Sequence, residues 1–187
     1  MSTSQSHVTH GGVRIGRRVL HQLRVSLERD TGLQASSYLQ EAGFAGGEEL
    51  YGEFAEWLLA TRGVERPGEM DMAYLSDALA EFFTDQGWGA LTARTLGAVL
   101  ALDAPDWAEA GGGSSEFPSC HVTCGMLADF FGRMSNGLVA VMEVECRSRG
   151  DGRCRFLAGA PETLSALYDR MAQGGAYPEA LGVSPDA

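Results

Sequence analysis

The chain has 187 residues, 44% of them hydrophobic, a formal net charge of −11 and a pI near 4.7. That size suits one compact domain with a real core, and the acidic balance argues against nucleic acid as a direct partner, because phosphate binding needs clustered basic residues. All 14 basic residues are Arg, which excludes Schiff-base chemistry and a P-loop lysine.

Residues 1–12, MSTSQSHVTHGG, are polar, lack the apolar core of a signal peptide and read as a disordered tail. From 13 to 31, Ile15, Val19, Leu20, Leu23 and Leu27 recur at helical spacing, and Gly32 is a stop. Arg14, Arg17, Arg18 and Arg24 read as an exposed face of that helix, suited to docking a partner. A second helix is expected over 33–42, ended by Gly43, with GFAGG as a loop. A third runs over 48–61 with Leu50, Phe54, Trp57 and Leu58 on its apolar side. A fourth covers 71–85 and carries Met72, Leu75, Leu79, Phe82 and Phe83.

The period then changes. GWGALTARTLGAVLALDAPDW reads as two strands with a turn around Thr95, Leu96 and Gly97. EAGGGSSEFPS reads as a flexible loop. A helix follows over 120–134, with Ser119 as its N-cap. Asn136-Gly137 is a turn, 138–147 a strand, SRGDG a tight loop and 153–158 the partner strand. Pro161 opens a last helix over 162–171, and the Gly/Pro-rich stretch from Gln173 is expected to fray. Hairpin-connected strands pair antiparallel, so the fold class is α+β: a small antiparallel sheet with helices packed on it. The expected organisation is a single domain over 13–172 between tails at 1–12 and 173–187. No run of about eighteen apolar residues exists, so no membrane span is expected, and a cytoplasmic location follows.

Four Cys in such a chain point to metal ligands or buried thiols before disulfides. Cys120, Glu143, Cys146 and Cys154 together make a four-coordinate set whose soft thiolates and single oxygen suit Zn²⁺. With four protein ligands there is no open position, so such a zinc is structural. Gly150 and Gly152 let the RSRGDGR loop turn and bring Cys146 and Cys154 together. Glu143 and Cys146 lie three apart, so in a regular strand they face opposite ways; both can ligate only if the strand bulges or ends between them. Glu145 competes for the carboxylate role, and His121 is a weaker candidate. Cys124, one helical turn from Cys120, offers a rival four-thiolate set.

The segment MEVECRSRGDGRCRF resembles the vinyl-4-reductase (4VR) domain. That family takes in a bacteriochlorophyll-biosynthesis protein and the aromatic-effector sensor domains of phenol-responsive transcriptional activators. The mark is Glu-x-Glu-Cys followed, eight residues after the Cys, by Cys-Arg-Phe, with a further Cys twenty-six residues before the pair, here Cys120. The resemblance implies zinc held by Cys120, Glu143, Cys146 and Cys154, with Cys124 left out. It also implies a fold related to haem NO-binding domains and TRAPP vesicle-tethering subunits, a homodimer, and an apolar pocket beside the metal hairpin. The candidate pocket residues are Phe82, Phe83, Trp88, Cys124, Met126, Phe130, Phe131 and Met142.

Three functions follow from the resemblance. The first is a sensor or carrier for an apolar or aromatic small molecule. The second is an accessory factor holding a tetrapyrrole in bacteriochlorophyll biosynthesis. A vinyl reductase enzyme ranks last, because no GxGxxG follows a strand and no flavin signature is present. The Arg-rich run Arg147, Arg149, Arg153, Arg155 reads as a solvated hairpin with a secondary anion-binding reading.

Overall fold

The computed structural model describes residues 15–111 and 115–184; the tail expected at 1–12 lies outside them. Four helices come first in space: α1 (Arg17–Thr31), α2 (Gln34–Arg62), α3 (Met72–Asp85) and, later in the chain, α4 (His121–Ser135). The strands are β1 (Thr92–Leu96), β2 (Val99–Ala104), β3 (Ala140–Glu145) and β4 (Cys154–Gly159), and two short helices close the chain, α5 (Pro161–Ala172) and α6 (Tyr177–Leu181). The sheet is antiparallel throughout, in the order β1-β2-β4-β3. The expected α+β architecture is therefore the observed one.

The largest departure from the sequence reading is α2. In place of a stop at Gly43 and a GFAGG loop, one unbroken helix of 29 residues runs through both. Glycine in a helix interior costs about 1 kcal/mol relative to Ala, and here tertiary contact overrides it. A Cβ on Gly43 would sit 2.0 Å from the Val122 carbonyl oxygen, and one on Gly125 1.9 Å from that of Gln40. At Gly47 the Cβ would meet that of Asp129 at 2.5 Å. The three glycines let α2 and α4 cross backbone to backbone, at a separation side chains would forbid.

The sheet separates two cores. On one face α2, α3 and α4 pack Phe54, Phe82, Phe83, Phe130 and Trp107 against Ala93, Leu102, Ala104 and Phe156. On the other face α5 and α6 cover Leu96, Val99, Ala101, Val144 and Leu157. Period-two alternation assigns the residues of β3: Val141 packs with the first core and Met142 with the second.

The stretch from Gln173 does not simply fray. It forms α6, whose Tyr177 hydroxyl bonds Glu145 and accepts a bond from Arg155 at 2.8 Å. The fully buried Arg155 also makes a two-pronged pair with Asp103 at 2.6 and 2.8 Å. Such paired geometry is what makes a buried guanidinium tolerable. Burial pushes the Asp103 carboxyl up, but Arg155 and then Arg153 and Arg94 outweigh it and hold the group below its ordinary value. Much of the Arg-rich hairpin is therefore paired inside the molecule: Arg153 bonds Glu145 at 2.9 Å and Arg149 bonds Asp151.

Candidate metal centre and the aromatic core beside it

Cys120 occupies the N-cap position of α4, Glu143 lies in β3, Cys146 follows the end of β3, and Cys154 opens β4. The register between β3 and β4 slips between Glu143 and Glu145: Glu143 faces Phe156 and Glu145 faces Arg155. Val144 and Glu145 thus share one step of the ladder, a bulge that returns Cys146 to the side of Glu143. After Cys146 a 3₁₀ turn, Arg147–Arg149, folds back on it. Asp151 accepts from the Cys146 N–H at 2.7 Å, and the N–H groups of Arg149 and Asp151 both donate to the Cys146 carbonyl. Gly150, at φ 103°, supplies the left-handed turn this needs.

One ligand atom from each of Cys120, Glu143, Cys146 and Cys154 lies within 4.8 Å of every other, and all four residues are buried. The Cys120 sulfur is 3.9 Å from each of the other two. A Zn–S bond of about 2.3 Å in a tetrahedron places sulfurs about 3.8 Å apart, so the spacing is that of a tetrahedral thiolate site. The carboxylate divides its labour. Glu143 Oε2 accepts from the Cys120 N–H at 2.8 Å, while Oε1 is buried with no hydrogen-bond partner. The described residues contain one other such atom, Ser148 Oγ in the turn after Cys146. A buried orphan acceptor turned into a ring of thiols is the signature of a cation site.

The electrostatics agree. Burial, then the neighbouring Cys146, pushes the Glu143 carboxyl up to about 8. Contacts with Cys146 and Cys154 push the Cys120 thiol up, and its contact with Cys120 draws Cys146 down. Four acidic groups this close cannot all ionise unaided; a divalent cation removes the conflict. This cluster can hold a metal.

The rival ligands stand elsewhere. Glu145 is engaged by Arg153 and Tyr177. Cys124 is buried but outside the cluster, its thiol pushed well up by burial. His121, also outside it, is held low by burial. Ser119 does not cap α4; its hydroxyl lies 3.9 Å from the Cys146 sulfur. The capping role passes to a residue placed by sequence in a flexible loop. Glu109 is buried and accepts from the N–H groups of Val122 and Thr123 at 3.0 and 2.7 Å and from the Thr123 hydroxyl at 2.6 Å. Burial outweighs these bonds and raises its carboxyl to about 7.

Trp107 is a second residue that sequence reasoning missed. It is fully buried, donates its indole N–H to Thr123 Oγ1 at 2.7 Å, and stacks on Trp88 with centroids 5.5 Å apart. Around it run Phe83 at 5.6 Å and Phe156 at 6.2 Å. Phe83 continues to Phe82 and Phe130, and Phe130 to Phe131. Of the expected pocket residues, Phe82, Phe83, Met126, Phe130 and Phe131 are buried in this aromatic core with the metal cysteines, and Trp88 packs at its edge. Met142 is on the opposite face of the sheet. The cavity observed is an open groove of about 300 Å³ between α2, α4 and β3, lined by Phe44, Cys124, Gly125, Ala128, Ala140 and Val141 with Gln40 and Glu41 at its rim. Cys124 is the one expected liner it contains. A missing cap on α4 was the available sequence signal for Glu109; for Trp107 it was a Trp standing beside a Gly/Ser-rich loop.

Residues 106–160 match the vinyl-4-reductase (4VR) domain family, a span that takes in Trp107, Glu109 and all four metal candidates. No curated protein matches the chain by sequence. Among solved structures the chain is similar to the phenol-responsive sensory domain of the transcription activator PoxR with phenol: 19% identity, TM-score 0.59, covering 79% of this chain and 75% of that one. It is similar to trafficking protein particle complex subunit 3 from Naegleria fowleri covalently bound to palmitic acid, at 12% identity and TM-score 0.58, over 76% and 91% of the two chains. A vinyl-4-reductase family protein from Methanocaldococcus jannaschii matches at 19% identity and TM-score 0.52, over 79% and 82%. At these identities the shared property is the fold. No helix among the described residues is long and apolar enough to cross a membrane.

Proposed function

We propose that this vinyl-4-reductase-type chain is a zinc-braced small-molecule-binding module, a sensor or carrier for a compact apolar or aromatic ligand, working as a homodimer. The observation that carries the reading is the continuity of the metal cluster with the aromatic core. Cys120, Cys146 and Cys154 belong to the same packed core as Phe83, Trp107, Phe130 and Phe156. The donor set fits Zn²⁺, with Cys120, Cys146, Cys154 and Glu143 Oε1 as ligands. Zinc with four protein ligands supplies rigidity, pinning the start of α4 to the β3–β4 hairpin, and no open position for chemistry.

The protein's own residues define the ligand class. Small-molecule sites are mostly apolar with a few fixed polar groups. Here the aromatic rings and the groove at Cys124 provide the apolar part, and the Trp107–Thr123–Glu109 chain provides the polar part. The phenol of the PoxR domain and the palmitic acid of the Naegleria subunit support an apolar ligand body. The groove's volume of about 300 Å³ sits at the small end of ligand sites, which run to about 1,000 Å³. That favours a single-ring aromatic over a tetrapyrrole.

The test is thermal shift with phenol, larger aromatics and a porphyrin on zinc-loaded protein. A binder at a hundredfold its Kd adds about 2.7 kcal/mol of stability. Stabilisation by single-ring aromatics, with a change in Trp fluorescence, is expected. Stabilisation by porphyrin alone would favour the tetrapyrrole role, and metal analysis finding no zinc would remove the brace.

A further inference from the structure

The first helix is built inside out. Its one buried residue is Arg24, at 8% exposure, which bonds Glu28 and lies near Glu109. Its apolar residues instead face solvent: Ile15, Val19 and Leu23, spaced four apart, are 55%, 56% and 47% exposed. Leu33, just past the helix, is 95% exposed. A stripe at that spacing normally marks the side a helix buries. Charge is distributed unevenly along it. Arg17 and Arg18 stand exposed at the N-terminal end, Asp30 at the C-terminal end.

We propose that this face of α1 docks a second copy of the chain, the two α1 helices running antiparallel about a two-fold axis near Leu23. The antiparallel sense follows from the charges. It sets Arg18 of each copy against Asp30 of the other and brings Ile15 toward Leu33 of the other, whereas a parallel pairing sets Arg17 and Arg18 against themselves. It also opposes the helix dipoles. A two-fold makes every contact twice. One helix against one helix falls at the small end of interfaces, under about 1,200 Å², so the dimer is concentration-dependent. Arg24, buried on the far side of α1, orients the helix so that its apolar residues remain outward.

This inference rests on the dimer in the reading above and names its surface. Sedimentation of the full chain across a dilution series tests it, with zinc content and the aromatic thermal shift measured on the same samples. Wild type is expected to pass from dimer to monomer on dilution. Val19→Asp with Leu23→Asp, both at exposed positions, should be monomeric with unchanged zinc and melting temperature. Arg18→Asp and Asp30→Arg should each weaken association about tenfold, and the double swap should restore it. A wild type that is monomeric at every concentration, a Val19→Asp/Leu23→Asp dimer, or a double swap that fails to recover overturns the proposal. Loss of zinc or ligand binding with dimerisation intact would count against the functional reading alone.

Discussion

Glu143→Gln separates two jobs that one side chain performs. The substitution keeps an oxygen able to accept from the Cys120 N–H, now 2.8 Å from Oε2, and replaces the orphaned Oε1 with an amide that cannot ligate. The two states of the protein should therefore respond with opposite signs. With zinc, a lost ligand costs at least about a hundredfold in affinity, near 2.7 kcal/mol, more than the ten- to hundredfold typical of an outer partner. Without zinc, the wild type buries a carboxylate among three thiols, and the neutral amide relieves that conflict. An unsatisfied buried polar group costs about 1–3 kcal/mol and a charged one more. Metal-free Glu143→Gln should thus melt no lower, and at neutral pH higher, than metal-free wild type, while its zinc-loaded form melts lower. The assay is chelator competition for affinity and melting temperature with and without chelator, with Glu145→Gln and Cys124→Ser as controls. Wild-type zinc affinity in Glu143→Gln, with loss in either control, would refute the ligand assignment.

Gly125→Ala tests the helix crossing. Its Cβ would lie 1.9 Å from the Gln40 carbonyl oxygen and 2.8 Å from the Phe44 nitrogen, both backbone atoms that cannot swing away. Overpacking typically costs about 1–3 kcal/mol, so chemical denaturation should show a loss of that size or more, despite the gain of about 1 kcal/mol in helix propensity. An unchanged midpoint would mean α2 and α4 are not in backbone contact. Glu109→Gln tests the buried cap. Burial raises the folded carboxyl from 4.5 to about 7, so its contribution to stability is complete below pH 4.5 and lost as pH rises toward 7, about 3 kcal/mol over that window. The variant cannot titrate there. The stability difference, wild type minus variant, should fall between pH 4.5 and 7; zinc-ligand protonation is common to both and cancels. A difference flat across that window would show that the three hydrogen bonds outweigh burial.

The parts of this fold that local pattern dictates were legible. The strand pairs, the helix carrying Phe82 and Phe83, and the stop at Gly32 all follow from spacing and turn residues. The bulge in β3 was legible as a condition, since Glu143 and Cys146 could not otherwise meet, and the register slip at Glu143/Glu145 supplies it. What sequence hid was long-range. The glycines of α2 carry opposite local and tertiary meanings, breaking an isolated helix yet permitting a close crossing, and only the position of α4 decides between them. Glu109 lies thirteen residues from the amides it caps, across a Gly/Ser-rich stretch, so no window around α4 contains its cap. Arg24 looked like one more exposed Arg on a basic face because nothing in its neighbourhood reports the acid it approaches.

These hidden residues converge on the first turn of α4. Cys120 joins that turn to the metal cluster through its sulfur and to Glu143 through its N–H. Val122 and Thr123 join it to Glu109, and Thr123 joins it to Trp107 in the aromatic core. Glu109 in turn faces Arg24 of α1, the residue that holds the apolar stripe outward. A shift of this turn breaks bonds to the metal hairpin, the ring cluster or the α1 anchor, because its N–H groups are donated to carboxylates from two separate segments. The metal brace therefore does more than stabilise. It fixes the one place where the ligand-binding core and the docking helix are mechanically joined, so Glu109→Gln should alter the concentration dependence of sedimentation as well as stability. Dimerisation identical to wild type across pH in that variant would show that α1 keeps its orientation without the Glu109 contact.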